Sequence, residues 1–285
     1  MAPTPDQTDR KGQTDRKGQS DRKGQSGTVT VDRHGPVALV WLDRPGTINA
    51  IDGSMLAGLN AAMDQILGGE GSRAVVLAGR GTRGFCSGAD LATIGQLSGA
   101  EKRAYIDFAW RTCDRLGQLP VPTIACLHGH VLGGGLELAL ACDLRLAVPG
   151  TRLGLPEMAL GSVPSFGAVQ RLPGLIGGAR ARELLLCSAR IEAAEAQRIG
   201  LVTRLGAPGA ALPEALALAE DLSRRSRDQM RFLRMALAQP PGQDAGMLHA
   251  VISDLCHRDA GYRERIRPFG RDQSAGSAPQ SPEDG

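Results

Sequence analysis

The 285-residue chain lacks a Cys-x-x-Cys pair, an unbroken apolar run of membrane-spanning length and any strong excess of one charge. Each absence excludes a class of protein. Its six cysteines (Cys86, Cys113, Cys126, Cys142, Cys187 and Cys256) are scattered, most of them among aliphatic neighbours. They read as reduced thiols in a cytoplasmic protein, not as a disulfide framework. The first stretch, residues 1–30, holds no apolar segment, and the longest apolar run, around 121–149, is broken by His128, His130, Glu137, Asp143 and Arg145. Neither a signal peptide nor a transmembrane helix is expected. Lys and Arg number 33 against 30 Asp and Glu, and residues 1–26 alone supply two of the three net positive charges. The body is therefore nearly neutral, which gives no support to a nucleic-acid or anionic-membrane partner. There is no GxxxxGK[ST] and no GxSxG, so P-loop and nucleophile-elbow chemistry lack their residues.

What is present is a globular composition, 42% hydrophobic and 22% charged, framed by two polar tails. Residues 7–25 repeat the hexapeptide QTDRKG or QSDRKG without one apolar side chain, so nothing offsets the entropy of ordering them. A disordered leader is expected over residues 1–26, and a second disordered tail over 271–285. Between them, Thr28–Asp32 and Val37–Leu42 flank the turn residues His34, Gly35 and Pro36, the pattern of a hairpin. Met55, Leu59, Met63 and Leu67 keep a helical period that ends at Gly68-Gly69. A strand at Ala74–Ala78, a helix through Tyr105, Ala109, Thr112 and Leu116, and a buried strand at Val121–Leu127 follow. Beyond Arg180 helices are expected almost throughout, with Leu201–Leu205 as one short strand. The fold class is α/β with a helical C-terminal portion.

Several short motifs carry possible chemistry. GRGTRG at Gly79–Gly84 matches the dinucleotide-binding spacing, but Phe85-Cys86-Ser87-Gly88 follows it where that site needs an opening helix. His128 and His130 form an HxH pair without a third ligand at suitable spacing, which favours a structural role at a strand exit, and no metal site is expected. Cys86 has no nearby cation to activate it and reads as a packed thiol. Gly133-Gly134-Gly135 directly before an apolar helix is more informative: glycines permit close backbone approach, and the helix start leaves N–H groups unpaired for an anion. Glu137 falls in the first turn of that helix among apolar residues, facing either a pocket or the interior, or serving only the helix dipole. Glu157 follows Pro156 as at many ordinary helix starts, and Asp90 after Gly88 reads as an N-cap behind a turn.

Taken in order, RPGTINAID (44–52), RGFCSGADL (83–91), HGHVLGGGLELALACDLRLA (128–147), LPEMALGSVP (155–164) and QRLPGLIG (170–177) resemble the enoyl-CoA hydratase/isomerase family, the crotonase superfamily. The resemblance covers nearly all of residues 28–269. It implies a crotonase-like spiral of ββα units over residues 27–200, followed by a C-terminal α-helical trimerisation segment over 201–270 that builds a homotrimer or homohexamer. By motif, the backbone N–H groups of Ala89 and Gly134 would form an oxyanion hole for a thioester carbonyl, and Glu137 and Glu157 would be the catalytic carboxylates. Ser87, Gly88, Ala89, Asp90, Leu91 and Ala92 would line the substrate channel with Gly134, Ser165 and Phe166. The chain departs from the family's PGxGGTQRL stretch: Ser165 and Ala168 replace glycines, and the large ring of Phe166 enters beside them, which points to an altered acyl pocket. Lys102 is the only lysine outside the leader, leaving arginines such as Arg44 or Arg267 as stand-ins at the coenzyme A phosphates.

The implied activity is reversible hydration of a trans-2-enoyl-CoA to a 3-hydroxyacyl-CoA, a hydro-lyase reaction without metal or redox cofactor, coenzyme A being part of the substrate. Within the family the alternatives are a Δ3/Δ2-enoyl-CoA isomerase, a decarboxylase or a thioester hydrolase. From another class, a non-catalytic crotonase-fold scaffold or RNA-binding protein would use the basic repeat as its handle; the near-neutral body argues against it.

Overall fold

The structure, a computed structural model, describes residues 29–69, 71–238, 245–258 and 260–267. The expected disordered leader and tail lie outside those residues. The hairpin forms between β1 (Val29–His34) and β2 (Val37–Leu42), which pair antiparallel across a turn at Gly35-Pro36. The periodic helix follows as α1 (Gly53–Gly68), its first turn capped by the Asp52 carboxylate, which accepts from the N–H of Met55 at 2.8 Å.

From there the chain adds strands in pairs. β3 (Ala74–Gly79), β5 (Thr123–Leu127) and β7 (Leu144–Ala147) extend the sheet begun by β2, all parallel, while β4 (Gly84–Cys86), β6 (His130–Leu132) and β8 (Arg152–Gly154) build a second parallel sheet. Each pair thus gives its first strand to one sheet and its second to the other, and helices α2 (Leu91–Gln96), α3 (Gly99–Gly117) and α4 (Gly134–Ala141) return the chain for the next turn. That repetition is the ββα spiral. The dinucleotide reading of GRGTRG fails here in physical terms, since its last glycine opens strand β4 instead of a helix. A Cβ at Gly84 would lie 2.4 Å from the backbone nitrogen of His130, so this glycine is needed for strand approach.

The longer sheet has the order β1-β2-β3-β5-β7-β10, where β10 is Arg204–Leu205. Its central strands are apolar on both sides, as parallel strands covered on two faces must be. Val75, Leu77, Ala125 and Leu127 point into the main core with α1, α3 and α4, whereas Val76, Ala78, Ile124 and Cys126 meet Ala215 and Ala219 of the later helix α7 (Ala211–Ser223).

Between these, α5 (Ala168–Leu186), β9 (Arg190–Glu192) and α6 (Ala193–Arg198) continue the chain. β9 is a strand that the helical expectation beyond Arg180 overlooked, and the expected Leu201–Leu205 strand shortens to β10. The reason is at the edge: β9 pairs antiparallel with β8 with its charged residues exposed, so it carries no apolar signal. The C-terminal portion closes with α8 (Arg227–Ala238), α9 (Ala245–Arg258) and α10 (Ala260–Ile266). No helix among the described residues is long and apolar enough to cross a membrane.

Candidate active site

Four segments meet at the end of the spiral where β4 and β6 stop. The first is the loop after β4. A single parallel bridge joins Ile51 to Ala89, with the Ile51 N–H donating to the Gly88 carbonyl and the Asp90 N–H to the Ile51 carbonyl, each at 2.8 Å. Residues 88 and 90 are thereby spent on Ile51, and the N–H of Ala89 lies on the other side of the chain, with no acceptor among the described residues. The loop is locked from outside by Arg44, whose guanidinium reaches Asp52 at 3.0 Å, Asp90 at 3.1 Å and the Ala50 carbonyl at 2.7 Å. Asp90 caps α2 through the Thr93 N–H, and that bond, with Arg44 beside it, holds its carboxyl below the usual range. Arg44 is thus engaged inside the protein and does not present a free cation, whereas Arg267 is exposed at the end of the described helices.

The second segment is the triple glycine. Gly133 adopts φ 52°, left-handed and open only to a residue without a side chain, and α4 begins at Gly134 with all eight residues buried. The two glycine-bearing strips lie in contact. A Cβ on Gly88 would be 3.4 Å from the nitrogen of Gly134, and one on Gly134 would be 3.5 Å from the nitrogen of Ala89. The amides of Ala89 and Gly134 are therefore neighbours, and neither donates to an acceptor among the described residues. Gly134 stands at the first position of α4, where a helix leaves its N–H groups unpaired.

The carboxylates come from the same helix and from a 3-10 turn at Pro156–Leu160. Glu157 lies against the glycines: a Cβ on Gly133 would meet its Oε1 at 2.8 Å. Its Oε2 is buried without a hydrogen-bond partner among the described residues. Burial, and after it the charge of Glu137, pushes its carboxyl up to about 7, against the pull of its own backbone N–H. Glu137 is 1% exposed. Its Oε1 accepts from the N–H groups of Phe166 at 2.8 Å and Ala168 at 2.9 Å, while Oε2 has no hydrogen bond among the described residues. Burial raises this carboxyl, and the surrounding amides of residues 165–168 oppose the rise.

The fourth segment, residues 164–168, is the stretch that departs from the family pattern. Phe166 is 3% exposed and packs edge-on to Tyr105, with ring centroids 5.9 Å apart. Its carbonyl accepts from Arg171 at 3.1 Å. Arg171 and Tyr105 are supporting residues that sequence reasoning did not single out, although Arg171 stands in the QRL motif. Of the proposed channel residues, Leu91 is 62% exposed and Ala92 is also exposed, while Ser87 is half-buried, its hydroxyl donating to the Thr47 carbonyl at 2.9 Å. Cys86 is a packed thiol, buried, pushed up to about 12 by burial, and donating to the Asn49 carbonyl. His128 bonds the Gly81 carbonyl, and no cluster of three potential metal ligands occurs among the described residues.

Chemically, the site offers two unspent backbone donors side by side, with Glu157, its carboxyl raised to about 7, against the same glycines and Glu137 close enough to contribute to that rise. Comparison with known proteins agrees with the motifs. Residues 32–248 match the family model described as enoyl-CoA hydratase/isomerase. The short-chain-enoyl-CoA hydratase of Clostridium acetobutylicum is 32% identical over 209 residues, 73% of this chain and 80% of that protein. The crotonyl-CoA hydratase of Syntrophomonas wolfei is 30% identical over 244 residues, 85% of this chain and 94% of that protein. In three dimensions, the crystal structure of an enoyl-CoA hydratase from Bacillus anthracis superposes with a TM-score of 0.81 at 30% identity, covering 86% of this chain and 96% of that one.

Proposed function

The chain belongs to the enoyl-CoA hydratase/isomerase family, the crotonase superfamily, and from that premise we propose that it adds water reversibly across the double bond of a trans-2-enoyl-CoA. The observation that carries this reading is the pair of neighbouring, unspent amides of Ala89 and Gly134, with half-buried Glu157 against the same glycines and buried Glu137 close enough to raise its carboxyl. Both N–H groups bind the thioester oxygen. As water attacks C3, negative charge moves to that oxygen, and donors already in place stabilise the enolate without reorganisation. One such donor is worth about 3 kcal/mol. Glu157, protonated near neutral pH, delivers its proton to C2. Glu137 takes a proton from the water through Oε2, its other oxygen being fixed by the amides of Phe166 and Ala168. Water's oxygen ends on C3 and one hydrogen on C2. The two carboxyls exchange protonation state, and a proton passing between them through solvent resets the site. Leu91 and Ala92, both exposed, would line the coenzyme A channel, and the addition of water as written requires no redox change.

Incubation of the full-length protein with trans-2-enoyl-CoA thioesters, followed by mass spectrometry, tests the reading. A gain of one water supports it; isomerised, decarboxylated or cleaved product without hydration overturns it. One observation favours isomerisation as the second reading. Glu137 has one oxygen held by two amides, leaving Glu157 as the acid with an unpartnered buried oxygen, and a single carboxyl can move a proton between C4 and C2. In that case Glu137→Gln would retain most of the activity that Glu157→Gln abolishes.

A further inference from the structure

We propose that the ring of Phe166 is the wall that limits acyl-chain length, restricting the site to short-chain thioesters; this rests on the acyl-CoA reading above. The ring stands beside both oxyanion donors. The place where a Cβ on Gly134 would lie is 2.6 Å from Cε2 of Phe166 and 2.9 Å from Cδ2, and the same place is 3.5 Å from the nitrogen of Ala89. The residue whose N–H holds Glu137, the carboxyl proposed to act at C3, is Phe166 itself, so acyl carbons beyond C3 are inferred to run toward its ring. A chain growing past the reacting carbons therefore meets this ring first.

The ring is also fixed. Its backbone is tied at both ends, the N–H to Glu137 at 2.8 Å and the carbonyl to Arg171 at 3.1 Å. Its edge rests on Tyr105, whose hydroxyl donates to the Ile51 carbonyl at 2.8 Å, next to the bridge that sets Ala89. Swinging the ring aside would disturb the general acid-base pair and the oxyanion loop together. An open apolar channel rewards each added methylene with about a fourfold gain in affinity. A fixed wall gives no such gain.

Calorimetric titration of the full-length protein with butanoyl-CoA and decanoyl-CoA, each below its aggregation concentration, reads the wall without requiring turnover. Wild type is expected to bind decanoyl-CoA no more tightly than butanoyl-CoA. Phe166→Ala, checked for folding by circular dichroism, is expected to shift that ratio toward the long chain by at least about tenfold. Phe166→Leu serves the same comparison if the alanine variant does not fold. Wild-type preference for decanoyl-CoA by tenfold or more, or an unchanged ratio in the folded variant, overturns the proposal. Absence of hydration with every enoyl thioester would sink the hydratase reading, yet the binding ratio would still decide for or against the wall.

Discussion

At the scale of single residues, the proposed hydration requires Glu157 to be neutral when substrate arrives. Among the described residues its Oε2 has no hydrogen-bond partner to stabilise a charge, and the nearby Glu137 disfavours a second one. Replacing it by glutamine removes the proton destined for C2, and kcat is expected to fall by about 10²–10⁴-fold, the usual contribution of a general acid, in a spectrophotometric hydration assay. Under hydration chemistry Glu137→Gln falls comparably, because water then lacks its base. The raised carboxyl also has a thermodynamic consequence. Folded Glu157 holds its proton up to about pH 7, whereas its ordinary value is 4.5, so the folded state binds more protons than the unfolded one between those values. Stability must fall as pH rises through that window, with Glu137 adding in the same direction. Thermal denaturation from pH 4 to 8 should show wild type losing more stability than Glu157→Gln, the two converging at the acid end. A glutamine variant with the same pH slope as wild type would contradict the buried, neutral acid.

At the scale of elements, the Arg234 guanidinium ties α8 to the body. Arg234 donates to the Gly117 carbonyl at 2.9 Å and to the carbonyls of Leu119 and Val121, and pairs with Asp143 at 3.1 Å. Asp143 in turn accepts from the N–H and hydroxyl of Thr123 at the start of β5. Removing the guanidinium leaves a half-buried carboxylate without its cation and three carbonyls short of a donor. Arg234→Met is expected to cost roughly 3 kcal/mol in urea denaturation; a loss below about 0.5 kcal/mol, the range of an ordinary surface substitution, would show that α8 is held by other contacts. Much at this scale was legible in the sequence. α1 announced itself by its period and its Gly68-Gly69 stop, and the central strands by apolar runs between turn residues. β9 was not, because a three-residue edge strand with two charged residues buries little and has no pattern to read. The site was legible in part. Gly88, the triple glycine and the two glutamates stood out by motif, but the tie between Glu137 and the amides of Phe166 and Ala168, 29 and 31 residues away, is created by tertiary packing alone. The same holds for Arg44, which joins Asp90 across 46 residues to lock the loop that carries Ala89.

At the scale of the whole molecule, the C-terminal helices leave apolar side chains uncovered: Leu233, Leu237, Val251, Leu255 and Ile266 are all more than 40% exposed. Such a surface fits burial against further copies of the chain, as the family resemblance implies. Light scattering is expected to give the mass of a trimer or hexamer, and Leu237→Asp combined with Val251→Asp to lower it; a wild-type monomer would refute the assembly. The spiral itself serves chemistry by stacking strand ends so that one loop glycine and one helix start come into contact. On the proposed mechanism the amides of Ala89 and Gly134 together grip one thioester oxygen. Infrared difference spectroscopy of Glu157→Gln loaded with a trans-2-enoyl-CoA labelled with carbon-13 at the carbonyl measures that grip directly. Two donors on the oxygen should move the carbonyl stretch to lower frequency than in water, whereas a band at or above its position in water would mean that the oxygen is bound elsewhere.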